Sequence, residues 1–414
     1  MPIFPLQVFL EPLADHPWTY LVFGLIGFAF GFVLEISGFG NSKKLAAQFY
    51  FKDLTVLKVM FTAIVTGMVL IFLSSALGIL NFNLVYVPET HLWPGIVGGL
   101  IMGVGFVVGG FCPGTSIVSA STLKVDGIVF VLGAAVGVWA FGESVQPFWN
   151  WWNQSGYYGR VTLMDVFHLS TGWVVLLVVL MALFMFWGSE KLEKIIGKRD
   201  MSREPKLRLI GAATLVVLAV AIILIGQPTA TEKWASISTV KTAALADRTV
   251  QVHPGELLAS LANQKLNVVM LDVRSEADYN LFHIQDAQNV PLEKINTLIP
   301  VLITESSANK VIVLMSNDEG AATDAWKIMQ AESVPNVYIL EGGINQWISI
   351  FGATDASILP IEGSVPDDQL RYTFGAALGD RYEACSPAPY EWNLDYTPKI
   401  ELKLQRSPSG GGCG

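Results

Sequence analysis

The stretch Gly109-Gly110-Phe111-Cys112-Pro113-Gly114-Thr115-Ser116 decides how the first half of this chain folds. It closes an apolar run without charged residues, 94–108, and places a cysteine directly before a helix-breaking proline. Irregular backbone at membrane depth is tolerated only where it is buried in protein or lines a cavity. The break is therefore a candidate binding site with one soft nucleophile, Cys112, at its centre. The alternative is that Cys112 is a small buried apolar side chain at a helix end.

The composition indicates an integral membrane protein followed by a soluble part. Of the 414 residues, 52% are hydrophobic and 15% are charged, whereas soluble proteins carry about 25% charged residues. The net charge of −9 argues against nucleic acid as a partner. The three cysteines, Cys112, Cys385 and Cys413, are too few and too scattered for a disulfide framework or a zinc site. We expect no metal site and no cofactor.

The apolar runs before Gln227 predict a polytopic α-helical membrane domain over residues 1–230. A crossing takes roughly 20 residues, and suitable runs lie at about 18–40, 55–80, 94–111, 127–146, 168–187 and 207–226. The third run is short and broken, so it is either a span or a re-entrant segment.

The distribution of Lys and Arg predicts the orientation of these runs. The links after the first, third and fifth runs carry Lys or Arg, most densely from Lys191 to Arg208, and the links 81–93 and 146–158 carry none. Because positive charge accumulates on the cytoplasmic side, six crossings of the cell inner membrane with the N-terminus outside fit the pattern. The soluble part and the C-terminus are then extracytoplasmic, that is, periplasmic. A re-entrant third run would change this parity.

The broken motif occurs twice, which predicts an internal repeat. Gly38-Phe39-Gly40-Asn41-Ser42 in the first copy is echoed by Gly110-Phe111-Cys112-Pro113-Gly114 in the second. Transporters often bind substrate where such repeats meet on discontinuous helices. Glu35 lies near the first break and either faces the path or reaches interfacial water. The predicted path residues are Glu35, Gly38, Gly40, Ser42, Gly110, Cys112, Pro113, Gly114, Thr115 and Ser116.

These two breaks, and the Gly-Gly-Phe-Cys-Pro-Gly-Thr-Ser run above all, resemble the YeeE/YedE family of membrane proteins, which includes thiosulfate transporters. The resemblance covers about residues 18–190 and implies that Cys112 lines the path and interacts with the sulfur substrate. Longer members have several path cysteines, whereas this chain has Gly40 at the matching place of the first repeat. Either a second copy of the chain supplies further thiols or the path relies on fewer thiols, and of these we favour a homo-oligomer.

The soluble half begins after a polar linker, 231–249, and predicts a small α/β domain over residues 250–356. Apolar runs at 268–274, 310–315 and 337–340 read as buried strands, and helical patterns lie between them. Strands that alternate with helices imply a mainly parallel sheet.

Three segments of this domain resemble the rhodanese family. The first signature is Leu271-Asp272-Val273-Arg274-Ser275-Glu276-Ala277-Asp278-Tyr279, followed by His283-Ile284 and Ala287-Gln288-Asn289-Val290-Pro291; the closing one is Leu340-Glu341-Gly342-Gly343-Ile344-Asn345-Gln346-Trp347; the middle segment departs from the family. In active rhodaneses the middle strand ends in a nucleophilic cysteine, but Ser316 stands at that place here, followed by Asn317, Asp318, Glu319, Gly320 and Ala321. A serine cannot carry a persulfide, so the resemblance implies that the usual sulfur transfer is lost. We expect either a binding or docking role or a purely stabilising module.

Residues 357–414 predict an irregular tail that ends in Gly410-Gly411-Gly412-Cys413-Gly414. Such a flexible arm suggests that Cys413 is a swinging thiol that carries sulfur, with Cys385 as its resolving partner. The alternatives are a disulfide between these two cysteines, which an outside location permits, or no role for Cys413.

Together these patterns predict a membrane transporter or channel for a small inorganic sulfur anion, with thiosulfate favoured, and an extracytoplasmic rhodanese-like domain that binds or delivers sulfur species. The expected partners are that anion, the lipid bilayer, a second copy of the chain and a sulfur-carrier protein. The alternatives are a membrane-anchored sulfurtransferase that uses Cys413 or Cys385 as sulfur carrier, and a redox sensor. A transporter is preferred to an enzyme because an anchor needs one span and no duplicated break.

Overall fold

The computed structural model describes residues 17–85, 87–198, 207–304 and 309–402. The chain divides between Gln227 and Pro228 into two compact units, here called the membrane unit and the soluble unit.

The membrane unit is almost entirely helical. Its helices are α1 (Pro17–Ile36), α2 (Ser42–Ala46), α3 (Thr55–Ala76), α4 (Leu92–Gly109), α5 (Pro113–Ser121), α6 (Val125–Ser144), α7 (Trp149–Gln154), α8 (Leu163–Phe167), α9 (Thr171–Ile195) and α10 (Leu207–Ile225). Short 3₁₀ turns follow at Ala47–Tyr50, Phe82–Leu84 and Gln146–Phe148, and the strands β1 (Thr90–His91) and β2 (Tyr157–Gly159) pair antiparallel.

Among the described residues, five helical segments are long and apolar enough to cross a membrane: α3, α4 together with α5, α6, α9 and α10. The first predicted run is present as α1, with a shorter apolar stretch at Tyr20–Ile36. Only 6% of the apolar window of α6 is buried within the chain. Such outward-facing apolar side chains fit a hydrocarbon environment, and they confirm the prediction of a polytopic α-helical membrane domain.

Three of these helices, α3, α9 and α10, form a packed bundle. Its core is built from small and β-branched side chains, namely Val65, Val69, Val175, Val179, Ala182, Ala219 and Ile222. At Gly172, a Cβ would lie 2.9 Å from the Cα of Ile223, so the two backbones approach at a distance that only glycine allows. Small residues at the contact let membrane helices approach closely.

The internal repeat is visible as two successive units of long helix, short helix and long helix: α1–α2–α3 and α4–α5–α6. In each copy a glycine in the left-handed region ends the first helix, Gly38 at φ 75° and Gly110 at φ 72°. The next residue is a buried phenylalanine, Phe39 or Phe111. The predicted broken helices are therefore confirmed.

The soluble unit is built on a five-stranded sheet in the order β3-β7-β6-β4-β5, with every neighbouring pair parallel. The strands are β3 (Gln251–Val252), β4 (Asn267–Asp272), β5 (Gln288–Asn289), β6 (Lys310–Met315) and β7 (Val337–Leu340). The helices are α11 (Ala230–Ala246), α12 (Pro254–Leu261), α13 (Glu276–Leu281), α14 (Ile295–Thr304), α15 (Gly320–Ala331) and α16 (Gly343–Phe351), with 3₁₀ turns at Leu292–Lys294, Glu383–Cys385 and Pro389–Glu391.

The central strand β6 explains the two-sided core of this α/β domain. All of its residues are buried, which is typical of a parallel strand covered on both faces. Val311, Val313 and Met315 face one apolar cluster. Ile312 and Leu314 face the other. The predicted α/β domain with a parallel sheet is confirmed.

The segment predicted as a polar linker, 231–249, contains a helix instead, and this is a correction. Thr229 caps α11 by a reciprocal capping box with Glu232. The helix then packs on α15 through Trp234 and Trp326, whose ring centroids are 6.1 Å apart. Few apolar residues of this helix face the domain, so the sequence shows no hydrophobic pattern with a helical period. The polar composition was therefore interpreted as a linker.

The tail, predicted to be irregular, has mostly irregular backbone with one short hairpin, and it is packed onto the soluble unit as far as residue 402. The strands β8 (Ile358–Pro360) and β9 (Tyr372–Phe374) form an antiparallel hairpin. Further along, Trp347 donates to the Ala384 carbonyl at 2.7 Å, and Tyr338 donates to the Glu401 carbonyl at 2.8 Å. Cys413 lies outside the described residues.

Candidate functional site

The second break positions Cys112 as the N-cap of α5. The Cys112 N–H donates to Thr115 Oγ1 at 3.0 Å, and Cys112 Sγ accepts from the Thr115 N–H at 3.5 Å. This reciprocal capping box satisfies two N–H groups that a helix start leaves free. The thiol is half-buried, so it is neither a closed core residue nor fully solvated.

The neighbouring hydroxyls shape the same turn. Ser116 is buried and donates from Oγ to the Pro113 carbonyl at 2.7 Å. Pro113 occupies the first turn of the helix, where its missing N–H costs nothing. Thr115 and Ser116 are therefore occupied by local bonds, and the Cys112 thiol remains the soft group of the break.

The first break has the same outline with different chemistry. Asn41 caps α2 by accepting from the Lys43 N–H at 3.0 Å. Gly40 is buried, and a Cβ there would lie 2.6 Å from Glu35 Oε2 and 3.1 Å from Lys124 Nζ. Because Gly40 has no side chain, the charged groups of Glu35 and Lys124 fit beside its backbone.

The two breaks lie against each other. A Cβ on Gly110 would be 3.2 Å from Ser42 Cβ, and Phe39 and Phe111 share one apolar cluster with Leu45. The structure therefore brings residues of the two predicted half-sites together across the repeat boundary. Gly38 contacts Lys44, within its own copy of the repeat.

The sequence reasoning missed two residues that tie the breaks together, Lys124 and Asp126. Lys124 Nζ donates to the Gly40 carbonyl at 3.0 Å and lies 3.5 Å from Glu35 Oε1. Ser42 Oγ donates to Asp126 Oδ2 at 3.3 Å. The Glu35 side chain is 43% exposed, which gives this carboxylate a partner and also access to solvent. The repeat signal was available, since Lys52-Asp53 occupies the matching place in the first copy.

A fully buried carboxylate, Glu193, was also missed. Its Oε1 accepts from the Leu54 N–H at 2.6 Å, and its Oε2 lies 2.7 Å from Lys58 Nζ. Leu54 is the N-cap of α3. Glu193 therefore joins the end of α9 to the link that follows the first break.

In the soluble unit, Ser316 follows β6 directly, at the place the sequence assigns to it. The side chain is 1% exposed, and its Oγ accepts from the Ala322 N–H at 3.2 Å. The carbonyls of residues 316–318 crowd around Gly343, which adopts φ 59°, so a side chain at Gly343 would collide with the loop. We call residues 316–321 the β6 loop.

The negative charges of the β6 loop are compensated. Asp318 pairs with Arg371 at 2.9 Å. Glu319 pairs with Arg248 at 2.7 Å and accepts from the Gly342 N–H at 2.8 Å. The hydrogen bond from Arg248 to Glu319 raises the pKa of Arg248, although partial burial lowers it. The acidic loop is thus an internally paired network.

Asp272 and Arg274 form the buried ion pair beneath this loop, with Arg274 Nη2 at 2.6 Å from Asp272 Oδ2. Arg274 also donates to the Phe282 carbonyl at 2.6 Å and to Asn317 Oδ1 at 3.2 Å. This saturation indicates a structural role.

Cys385, a predicted sulfur carrier, is 1% exposed. Its Sγ donates to the Gly379 carbonyl at 3.2 Å, and burial raises the pKa of the thiol to about 12. A thiolate is the nucleophile in sulfur exchange, so this geometry suits a structural cysteine. Within residues 17–85, 87–198, 207–304 and 309–402, no three His, Cys, Asp or Glu side chains are grouped to hold a metal ion.

A duplicated, glycine-broken helical unit joined to a parallel α/β domain defines a polytopic membrane protein with a soluble domain attached. The chain belongs to the Sulphur transport family, whose model matches residues 37–270. The model of the rhodanese-like domain matches residues 253–350, in agreement with the resemblances of both halves.

Two curated relatives match parts of the chain. The thiosulfate transporter TsuA of Spirochaeta thermophila is 28% identical over 209 residues, which cover 46% of this chain and 57% of that protein. The centrosomal protein of 41 kDa of Xenopus tropicalis is 29% identical over 110 residues, covering 25% of this chain and 30% of that protein. The chain thus spans less than two thirds of either relative. Among solved structures, BH2092 of Bacillus halodurans is 22% identical and covers 27% of this chain and 80% of its own, with a TM-score of 0.21.

Proposed function

We propose that this protein carries a small inorganic sulfur anion, with thiosulfate as the first candidate, across the cell inner membrane. The observation that carries the proposal is the half-buried Cys112 thiol at the N-terminus of a broken helix, where the two repeats meet. The family and the thiosulfate-transporting relative support the choice of substrate class.

The chemistry of the break suits such an anion. Thiosulfate has a soft terminal sulfur, which a thiol contacts by S–H···S bonding, and oxygens that accept from backbone N–H groups. At the N-terminus of α5 the Cys112 and Thr115 N–H groups serve the capping box and Pro113 has none, so the helix start offers an oxygen the Gly114 N–H and a favourable dipole. Gly114 contributes no side chain to the break. Lys124 lies at the neighbouring break and adds a positive charge.

For the soluble unit we propose an extracytoplasmic location and a role in binding or delivering sulfur species. The support is the alternation of Lys- and Arg-bearing links in the membrane unit and the rhodanese-like fold. Since Ser316 replaces the nucleophile of active rhodaneses in our interpretation, this role does not include persulfide formation at that residue. The sulfurtransferase alternative then depends on Cys413, because Cys385 is buried.

We also propose a homo-oligomer, with a sulfur-carrier protein as a further partner. Each chain carries one cysteine in the membrane unit, Cys112. A second copy would bring another thiol to the assembly. Crosslinking in native membranes tests this point, and a protein that stays monomeric there would contradict the proposed homo-oligomer.

The transport proposal is tested by uptake of ³⁵S-thiosulfate into proteoliposomes that contain the purified protein, compared with empty liposomes. We expect saturable uptake that is reduced by excess unlabelled thiosulfate more than by sulfate, because sulfate has no soft sulfur. If no sulfur anion enters faster than into empty liposomes, the protein is not the transporter we propose.

A further inference from the structure

The hairpin β8–β9 carries an exposed connection, residues 361–371, which we call the strap. The hairpin closes where Pro360 pairs with Tyr372, and the Ile361 N–H donates to the Arg371 carbonyl at 2.9 Å. Most strap residues are exposed. It contacts the domain at the β6 loop and at Asn345, which donates to the Gln369 carbonyl at 2.9 Å and accepts from the Arg371 N–H at 2.8 Å.

The carboxylate of Asp368 is held by the backbone of the β6 loop. The Asp318 N–H donates to Asp368 Oδ1 at 2.7 Å, and the Ala321 N–H donates to Oδ2 at 2.6 Å. A Cβ on Gly320 would lie 3.0 Å from Oδ2, so the carboxylate is seated close to the backbone. These N–H groups stand at the start of α15, where unpaired donors and the helix dipole favour an anion.

The strap and the β6 loop each donate a hydrogen bond to the other. The Asp368 N–H donates to Asp318 Oδ2 at 3.1 Å, and Asn317 Nδ2 donates to the Asp368 carbonyl at 3.1 Å. Arg371 adds an ion pair to Asp318 at 2.9 Å. Asp368 itself adopts φ 55°, a left-handed conformation that a non-glycine residue keeps only when its surroundings enforce it.

We propose that Asp368 is a built-in anion that closes the β6 loop against small oxyanions from outside. The same N–H groups cannot bind a second anion while the carboxylate occupies them. The loop therefore opens only when the strap lifts. Because the strap is exposed, it can lift as a local unit without unfolding the sheet. A cavity of about 660 Å³ borders the strap and is lined by Arg248, Glu319, Asp367 and Arg371, among others.

This proposal is independent of what the membrane unit transports, and it is tested by a reporter thiol at the loop. Ser316→Cys is introduced into full-length protein in which Cys112 and Cys413 are replaced by serine, and Cys385 stays because it is buried. The protein is treated with 2-sulfonatoethyl methanethiosulfonate, an anionic thiol reagent. The labelling rate of the peptide that contains position 316 is measured by mass spectrometry, in otherwise unchanged protein and with Asp368→Ala.

Loss of the charged acceptor for two N–H donors is expected to raise the labelling rate on the order of 10- to 100-fold. Asp367→Ala is the matched control, because Asp367 lies beside Asp368 and has no hydrogen bond or ion pair in the described structure; its effect should stay within about twofold. Asp368→Asn keeps the shape of the side chain and removes its charge. If thermal melting shows that Asp368→Ala does not fold, Asp368→Asn is the variant that tests the proposal. Equal labelling with aspartate and with asparagine at position 368 would overturn the proposal.

Discussion

Replacing Glu193 by alanine is expected to destabilise the membrane unit more than any exposed charge change on the same helix. The carboxylate is fully buried, at 0% exposure, and lies 2.7 Å from Lys58 Nζ. It also accepts from the Leu54 N–H at 2.6 Å. Its loss leaves a partly buried ammonium group without this partner and removes the acceptor at the start of α3.

The magnitude follows from how much solvent reaches the pair. Breaking a buried ion pair by removing one partner costs about 3–5 kcal/mol. Lys58 keeps 20% exposure and recovers part of its hydration, so the lower end, about 3 kcal/mol, applies. For a unit of this size, each kcal/mol lowers the melting temperature by about 2–4 °C, so we expect a drop of about 6–12 °C.

The assay is thermal unfolding of detergent-solubilised protein followed by tryptophan fluorescence. Glu190→Ala is the matched control on α9, because Glu190 pairs with Arg208 at 2.6 Å while both side chains are over 30% exposed. Such exposed pairs contribute about 0–1 kcal/mol. The double variant Lys58→Met, Glu193→Leu should recover part of the loss, since no charge is left buried. Similar melting shifts for Glu193→Ala and Glu190→Ala would show that the buried pair contributes no more than the exposed one.

Three further predictions concern the soluble unit. Arg274→Ala leaves Asp272, at 0% exposure, as a buried charge without its pair, so denaturant unfolding should show a loss of about 3–5 kcal/mol; a loss below about 1 kcal/mol would exclude the structural role. Burial raises the pKa of Cys385 to about 12, so the native thiol should alkylate slowly at pH 9 while the unfolded thiol reacts fast. Because the unfolded thiol ionises first, near pH 8.5, this group lowers the free energy of unfolding as pH rises from about 8.5 towards 12; fast native alkylation at pH 9 would contradict the burial. Finally, an epitope tag after Gly414 should bind antibody on spheroplasts with an intact inner membrane, and a tag protected until lysis would place the soluble unit in the cytoplasm.

The features that the sequence predicted well are those coded by neighbouring residues. Gly110 can adopt a positive φ, and Pro113 has no N–H to donate to a helical hydrogen bond. Both residues favour the end of a helix, so the break was predictable from its own residues. The buried strand 310–315 was predictable for a similar reason, because an uninterrupted apolar run between polar turns fits a parallel strand.

The features that were missed depend on contacts between residues far apart in the chain. Lys124 lies in the basic link after the third run, but its bond to the Gly40 carbonyl requires the two repeats to be packed together. The tail was predicted to be irregular because it is rich in Pro, Gly and Tyr, and this composition does not reveal that it packs on the domain. Its order comes from single bonds to the domain, such as Trp347 to the Ala384 carbonyl, which have no sequence period.

We propose that the soft sulfur of Cys112, and not the shape of the break, recognises the transported anion. Cys112→Ser separates the two, because serine is a strong N-cap residue and preserves the capping box with Thr115, whereas Cys112→Ala removes the cap and costs about 1 kcal/mol. The most direct measurement is the initial rate of ³⁵S-thiosulfate uptake into proteoliposomes by Cys112→Ser and by the unchanged protein, at equal amounts of folded protein. We predict that Cys112→Ser loses at least about 90% of the uptake, equivalent to about 1.4 kcal/mol or more of lost interaction, while its melting temperature is retained. Uptake by Cys112→Ser at the rate of the unchanged protein would contradict the account.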